Sequence, residues 1–136
     1  MAYFPAAVKN TEEALNYLAK LAQALATVVT SAATTLTAAA AAFVTNGIYS
    51  LSGGTTCTIT SPTAAQIVAA LDNPQVGTSF VVSIVNANSG TATMAGGTGV
   101  TVVGLATAAT NTSATFRGVV TNATAGAEAV SLYRVD

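Results

Sequence analysis

Residues 79–86 read SFVVSIVN, and this stretch sets the interpretation of the second half of the chain. Its Val, Ile and Phe content favours a β-strand. Side chains alternate between the two faces of a strand. One face therefore carries Phe80, Val82 and Ile84, and the other carries Val81, Ser83 and Val85. The stretch predicts a strand with a large apolar face turned toward a core.

Similar short runs follow and precede it, separated by turns rich in Gly and Asn. The predicted strands are residues 48–51, 56–60, 79–86, 91–95, 100–104, 113–121 and 128–135. Such spacing is typical of a sandwich. Residues 47–136 are therefore predicted to form an antiparallel β-sandwich or jelly-roll-like module. Arg117 and Arg134 fall on neighbouring strands, where either is expected to pair with Glu128.

One short helix interrupts these strands. Ser61 is an expected N-cap, Pro62 suits the first helical turn, and Asn73 with Pro74 ends the pattern. The prediction is a helix over about residues 62–72.

Before Gly47 the pattern changes to helical spacing. Apolar or small residues recur at alternating intervals of three and four, typical of a coiled-coil seam: Leu18, Leu21, Leu25, Val28, Ala32, Thr35, Ala39 and Ala42. Residues 1–46 are therefore predicted to form a coiled-coil or bundle-forming helical arm, with its helix over 11–44. Two alternatives stay open: a break near Thr30 and Ser31, where β-branched residues weaken a helix, and one amphipathic helix packed on its own domain. The residues expected to associate or anchor the arm are Tyr3, Phe4, Leu18, Leu21, Leu25 and Val28.

Charge is scarce, at 7% of the 136 residues with a net charge of −1. A nucleic-acid partner is not expected, because phosphate binding requires clustered Lys and Arg and the four basic residues are scattered. A membrane span is not expected either, because the uncharged stretch 21–44 is rich in Ala and Thr rather than Leu or Ile. Low charge suits a protein held in an assembly.

Catalytic chemistry has few candidate groups. The chain has no His, which removes the commonest general base and metal ligand. The five acidic residues show neither a catalytic pair nor metal-ligand spacing. Cys57 is expected to be a small buried strand residue, and residues 96–99, GGTG, are expected to form a turn rather than a phosphate loop. The sequence therefore predicts no enzyme, no cofactor and no metal site.

An ordered series of segments supports a family resemblance. These are residues 61–70 (SPTAAQIVAA), 76–80 (VGTSF), 97–101 (GTGVT), 113–117 (SATFR), 120–122 (VTN) and 125–130 (AGAEAV). The series resembles the β-modules of small tailed-phage virion proteins of the head decoration, cement or head-fibre type. It covers roughly residues 47–135 and does not include the first 46 residues.

The resemblance implies a homotrimer displayed on the virion capsid, with the major capsid protein or another virion protein as partner. The expected function is thus that of a non-enzymatic phage structural protein anchored to the shell. Two alternatives remain: a receptor- or glycan-binding tip using Tyr49, Tyr133 and the Asn-rich turns, and a bacterial surface or pilus-like subunit.

Overall fold

The computed structural model describes Thr11, Glu12, Ala14 and residues 25–136. The elements in the continuous part are β1 (Val28–Ser31), β2 (Thr35–Thr37), α1 (Ala40–Val44), β3 (Gly47–Ser52), β4 (Cys57–Thr60), α2 (Ala64–Ala70), β5 (Ser79–Ala87), β6 (Ala92–Ala95), β7 (Val100–Val103), β8 (Thr107–Ala108), β9 (Thr112–Asn122) and β10 (Ala129–Arg134). They form a six-stranded sheet in the order β1-β3-β5-β9-β10-β7 and a four-stranded sheet in the order β2-β4-β6-β8.

The chain alternates between the two sheets from β1 to β6. Each strand of the larger sheet is followed by a strand of the smaller one, and successive strands within a sheet pair in parallel, β1 with β3 with β5 and β2 with β4 with β6. This path builds three stacked units, at residues 28–46 (unit 1), 47–78 (unit 2) and 79–95 (unit 3). The helices α1 and α2, which follow β2 and β4, also contact each other. Repeated coiling of this kind is the architecture of a β-solenoid.

The turns that connect a strand of the larger sheet to the next strand of the smaller sheet, here called corners, stack closely on one another. This close stacking requires small residues. A β-carbon at Gly54 would lie 2.8 Å from the Ala32 carbonyl oxygen, and one at Gly90 would lie 2.7 Å from that of Thr55. The Gly90 amide donates to the same Thr55 oxygen at 2.6 Å. Each corner therefore rests on the corner of the preceding unit.

After unit 3 the chain closes the stack with antiparallel pairs. Strand β9 pairs with β5 and β10, β8 pairs with β6, and β7 reaches the far edge of the larger sheet beside β10. The predicted antiparallel sandwich is wrong in this respect, because the sheets are mixed and five of the eight strand pairings are parallel. Parallel strands need a connection that returns to the same end, and the alternation between two sheets supplies it.

The core lies between the sheets, and the strand faces follow the predicted alternation. Phe80, Val82 and Ile84 are buried. On the neighbouring strand β9, the side chains of the core-facing side are buried as well: Ala114, Phe116, Gly118 and Val120. Tyr49, Phe43 and Phe80 form an aromatic chain, with ring centroids 6.2 Å apart for the first two and 5.7 Å apart for the last two. This chain fixes α1 against the larger sheet.

Thr11, Glu12 and Ala14 are helical, but the predicted long N-terminal helical arm is wrong over residues 25–44. Residues 28–31 and 35–37 are strands, and α1 covers only Ala40–Val44. Thr and Val are β-branched and favour strands. In a segment made mostly of Ala, Thr and Val, intervals of three and four do not identify a buried face. In β1 and β2 the large side chains that pack on the core are Val29 and Leu36. Glu13 and residues 15–24 of the expected helix lie outside the described residues.

The short helix is found close to its predicted place, but it begins later. Thr63, rather than Ser61, is the N-cap: its hydroxyl accepts from the Gln66 amide at 3.2 Å, while the Gln66 side-chain oxygen accepts from the Thr63 amide at 3.0 Å. The Ser61 hydroxyl instead accepts from the Gly97 amide at 2.8 Å. Ser61 thus joins β4 to the turn after β6, and is not available to cap the helix.

Candidate assembly surface

The outer face of the six-stranded sheet, turned away from the smaller sheet, is the candidate functional surface. Strand register aligns its side chains in rows across the sheet. One row is Val81, Arg117, Tyr133 and Val103, and another is Val28, Ile48, Ser83 and Thr115. We call the surface made by these two rows and the adjacent row Thr30, Ser50, Val85 and Ser113 the outer sheet face.

The outer sheet face is more apolar than a solvated sheet face usually is. Val28, Val85, Val103 and Tyr133 are exposed by 59%, 43%, 41% and 40%. Arg117 is the one charged side chain in these three rows. Exposed apolar side chains on a sheet face can mark an interaction site.

The outer side of the four-stranded sheet differs in chemistry. Register places Thr35, Thr58, Thr93 and Thr107 in one row across all four strands. Hydroxyl groups on these side chains can be solvated without a partner. The two faces of the sandwich are therefore unequal, and the apolar one is the better candidate for a contact.

The size of the outer sheet face suits a protein interface. Six strands about 4.8 Å apart, each contributing about six residues at 3.3 Å per residue, span roughly 500–600 Å² in plan. A specific interface buries about 800 Å² of accessible surface per partner, and side chains add to the plan area. The face is therefore large enough to hold a second protein.

The association residues predicted from the sequence are only partly described. Val28 lies on the outer sheet face, at its edge, and Leu25 is 74% exposed just before β1. Tyr3, Phe4, Leu18 and Leu21 lie outside the described residues. The structure brings Val28, but not Leu25, into the outer sheet face.

Val81, Val85, Val103 and Tyr133 were missed by the sequence argument. The signal was present in SFVVSIVN, because Val81 and Val85 make the second face of that strand apolar as well. A strand that is apolar on both faces is typical of one that is covered on both faces.

Arg134 lies near the end of β10, and its guanidinium connects several segments. It donates to the carbonyl oxygens of Leu105 at 3.1 Å and Thr107 at 2.8 Å, and it pairs with Asp136. The expected pairing with Glu128 is wrong for Arg134, because the Glu128 carboxylate instead accepts from the Gly126 amide at 3.1 Å within its own turn. Arg134 is thus a structural residue.

Two buried side chains, Tyr49 and Cys57, bear on the expected glycan site and on the expected burial of the cysteine. Tyr49 is 1% exposed, so it cannot serve as the aromatic platform of a glycan site. Burial raises the pKa of Tyr49 to about 12. Cys57 is buried in β4 as expected, and burial raises its pKa too.

Among residues 25–136 together with Thr11, Glu12 and Ala14, no three His, Cys, Asp or Glu side chains are grouped as metal ligands would be. The helices described in this part of the chain are all too short or too polar to cross a membrane. Comparisons with protein-family models, with curated proteins and with solved structures found no match to this chain.

Proposed function

We propose that this protein is a non-enzymatic structural component of a tailed-phage virion, a homotrimer that decorates the capsid or forms a head fibre. The observation that carries the proposal is the outer sheet face, which is broad, combines exposed Val and Tyr side chains with Ser and Thr, and carries one charged residue in its three rows. Around a threefold axis the outer sheet faces of three copies turn toward one another, and Arg117 is the one charged side chain that each face brings to the contact.

Small side chains make this contact possible. The face carries Val, Ser and Thr side chains at most positions, and the hydroxyls of Ser83 and Thr115 lie 3.4 Å apart across β5 and β9. A surface with few long side chains loses little conformational entropy when it is covered. Burial at about 25 cal/mol per Å² of apolar area then provides the driving force.

The virion role rests on the resemblance of the segments between residues 61 and 130 to phage decoration, cement and head-fibre modules. Several of those segments lie in β9, which carries Arg117, and in the turns that lead into β7 and β10. The partner on the particle is the major capsid protein or another virion protein.

The oligomer is tested by sedimentation equilibrium on the wild-type chain and on Val85→Lys. The wild type should sediment as a multiple of three chains, and V85K should lose that threefold mass because a lysine ammonium would have to be buried at the contact. Thr58→Lys is the matched control, since Thr58 is exposed on the outer side of the smaller sheet. A wild-type monomer, or a V85K protein that keeps its trimer, overturns the proposed contact.

The particle location is tested by immunogold labelling of phage particles made with and without the gene for this chain. Labelling of the head in the first preparation supports the virion assignment. Absence of the chain from intact, purified particles overturns it and leaves a self-associating module with another role.

A further inference from the structure

The stack of units is only partly covered at unit 1, beyond which residues 25–136 provide no further unit. Val29, Tyr49 and Ile84 form a column of inward side chains across β1, β3 and β5. Tyr49 and Ile84 are 1% and 0% exposed, whereas Val29 is only partly buried. The core side of the larger sheet is therefore less well covered at this end than further along the stack.

The smaller sheet ends in the same way. Leu36, Ile59 and Met94 align across β2, β4 and β6. Ile59 and Met94 are 0% and 1% exposed, and Leu36 is partly buried. We call the surface made by β1, β2 and the two partly buried side chains, Val29 and Leu36, the unit 1 end.

The strands at the unit 1 end lack the usual protection of a sheet edge. Within residues 25–136, no strand pairs with the outer side of β1 or β2. Residues 25–46 contain no charged residue and no Pro, the residue types that most often prevent an edge from pairing. Proteins also protect such an edge by covering it with a helix or a loop. A covering segment is therefore expected at the unit 1 end.

The chain enters β1 at the unit 1 end. The Leu25 carbonyl accepts from the Asn46 side-chain amide at 3.0 Å, and the Thr27 amide donates to the Thr45 carbonyl at 3.1 Å. These bonds hold residues 25–27 beside the turn between α1 and β3, so the residues before Leu25 are joined to the chain at this end. Covalent attachment through a short linker gives such a segment an effective concentration on the order of mM. A segment of the same chain therefore has an advantage over any separate molecule.

Residues 11–24 have the sequence pattern of an amphipathic helix. With helical spacing, the residues of one face are apolar, namely Ala14, Leu18 and Leu21. The residues of the opposite face are polar, namely Glu12, Asn16 and Gln23. Such a helix has one face to bury and one face to leave in water.

The three described residues of this segment agree with that pattern. Thr11, Glu12 and Ala14 are helical. Glu12 is exposed, whereas Ala14, on the apolar face, is only 6% exposed. A methyl group covered to this extent is packed against other residues. The apolar face is therefore turned toward protein at Ala14.

We propose that residues 11–24 form a helix that packs across the unit 1 end of their own chain. Its apolar face covers Val29 and Leu36, and its polar face gives the stack a hydrophilic outer surface. Terminal units of solenoid proteins need such a polar outer face for solubility. Leu18 and Leu21 are then core residues of this chain, and they are not free to bind a second protein.

The dimensions of such a helix fit the unit 1 end. A helix of 14 residues would be about 21 Å long and about 10 Å wide. The four residues of β1 extend over about 13 Å, and packed sheets lie about 10 Å apart. One helix is thus wide enough to fill the space between the two edge strands and long enough to run past both.

The contact is tested by nuclear Overhauser effects between methyl groups in the full chain. Methyl protons of Leu18 or Leu21 should show cross-peaks to those of Val29 or Leu36. A mixture of isotope-labelled and unlabelled chains, recorded with an isotope filter, reports only contacts between chains, and these cross-peaks should be absent from it. Cross-peaks seen only in the filtered spectrum would make a second copy the occupant, and their absence from both spectra would mean that the segment lies elsewhere. Either result overturns the inference.

A pair of double variants tests whether the apolar face protects unit 1. Leu18→Gln with Leu21→Gln removes two leucines but keeps residues that favour a helix. Hydrogen exchange of the β1 and β2 amides that donate to β3 and β4 should then be roughly tenfold faster or more, because unit 1 opens more easily. Glu12→Gln with Asn16→Gln is the matched control on the polar face, and it should leave exchange unchanged. Unchanged exchange in both variants, or equal acceleration in both, contradicts the packing.

The result is independent of the proposed trimer. Val85 lies on the outer sheet face and not at the unit 1 end, so V85K protein should keep the methyl cross-peaks within the chain. A wild-type monomer that shows these cross-peaks overturns the trimer alone. A trimer that lacks them overturns the covering helix alone.

Discussion

The ring of Phe80 occupies the space that a side chain at position 118 would need. A β-carbon on Gly118 would lie 2.2 Å from Cζ of Phe80 and 2.5 Å from both Cε atoms. Gly118 is directly opposite Phe80 in the β5–β9 ladder, on the buried face. The glycine is required here for space within the core, and the ring in turn packs edge-on against Phe43.

Gly118→Ala should therefore lower the free energy of unfolding by about 1–3 kcal/mol, the usual cost of overpacking a core. Phe80→Leu removes the atoms that would collide with the new methyl group. The two substitutions together should then cost less than the sum of their separate effects, as a double-mutant cycle by denaturant unfolding would measure. Strictly additive costs would contradict this packing.

Tyr49→Phe should stabilise the protein by about 1–2 kcal/mol. The Tyr49 hydroxyl is buried and has no hydrogen-bond partner within the described residues, and an unpaired buried polar group carries a desolvation cost. Tyr133→Phe is the control, because Tyr133 is 40% exposed and should change stability little. Thermal or denaturant unfolding measures both, and a destabilised Y49F protein would refute the prediction.

The same tyrosine predicts loss of stability at alkaline pH. Burial raises the pKa of Tyr49 to about 12, above its ordinary value of 10. The stability linked to this proton is fully present below pH 10 and declines as pH rises toward 12, by up to about 2–3 kcal/mol. Unfolding titrations from pH 9 to 12 should show a smaller decline in Y49F than in the wild type, and equal declines would contradict this.

Asn86→Asp should be strongly destabilising at neutral pH, by about 3 kcal/mol or more. The Asn86 amide nitrogen donates to the carbonyl oxygens of Gly90, Ala108 and Ala109 at 2.8, 2.9 and 3.1 Å. One oxygen of a carboxylate there would keep the hydrogen bond from the Asn88 amide at 3.1 Å, but the other would face the three carbonyl oxygens with no hydrogen to donate. Asn122→Asp is the control, since Asn122 only accepts, from the Thr124 amide at 2.9 Å, and a carboxylate can do the same. Similar costs for the two variants would contradict this role.

Arg134→Lys should cost about 1–2 kcal/mol, whereas Arg117→Lys should change the free energy of unfolding by less than about 0.5 kcal/mol. A single ammonium cannot reach the carbonyls of Leu105 and Thr107 and also pair with Asp136. The hydrogen bond from Arg134 lowers the pKa of the Asp136 carboxyl. The stability that the ion pair contributes is present above the ordinary pKa of an aspartate carboxyl, and it is lost as pH falls through the lowered pKa of Asp136. Because the pair is exposed, this stability is under about 1 kcal/mol. Equal costs for the two lysine variants would contradict the prediction.

The sequence predicted the strands from β3 onward except β8 (Thr107–Ala108), because most of them have alternating or continuous apolar residues bounded by Gly and Asn turns. It did not predict β1 and β2. Those strands have few large side chains, and their partners β3 and β4 lie 20 and 23 residues further along the chain at Ile48 and Thr58. Pairing over that distance leaves no local signal.

The repeat itself was present in the sequence and was overlooked. Val28, Val29, Thr35 and Leu36 correspond to Ile48, Tyr49, Thr58 and Ile59. Asn46 and Asn73, which follow the two helices, both have positive φ, at 45° and 46°. Comparing residues 28–46 with 48–73 indicates two copies of one unit, and therefore strands before Gly47.

The position of β7 sets an order of events for folding. In the larger sheet β7 pairs only with β10, and the two strands are parallel. Val100 pairs with Val130, and the chain between them contains β8 and β9. During synthesis, residues 100–103 therefore have no partner until the chain has been made through Arg134. We expect the β9–β10 hairpin, which pairs residues close in sequence, to form before β7 pairs with its edge. Completion of the fold should accordingly be slow, and it should depend on the final residues of the chain.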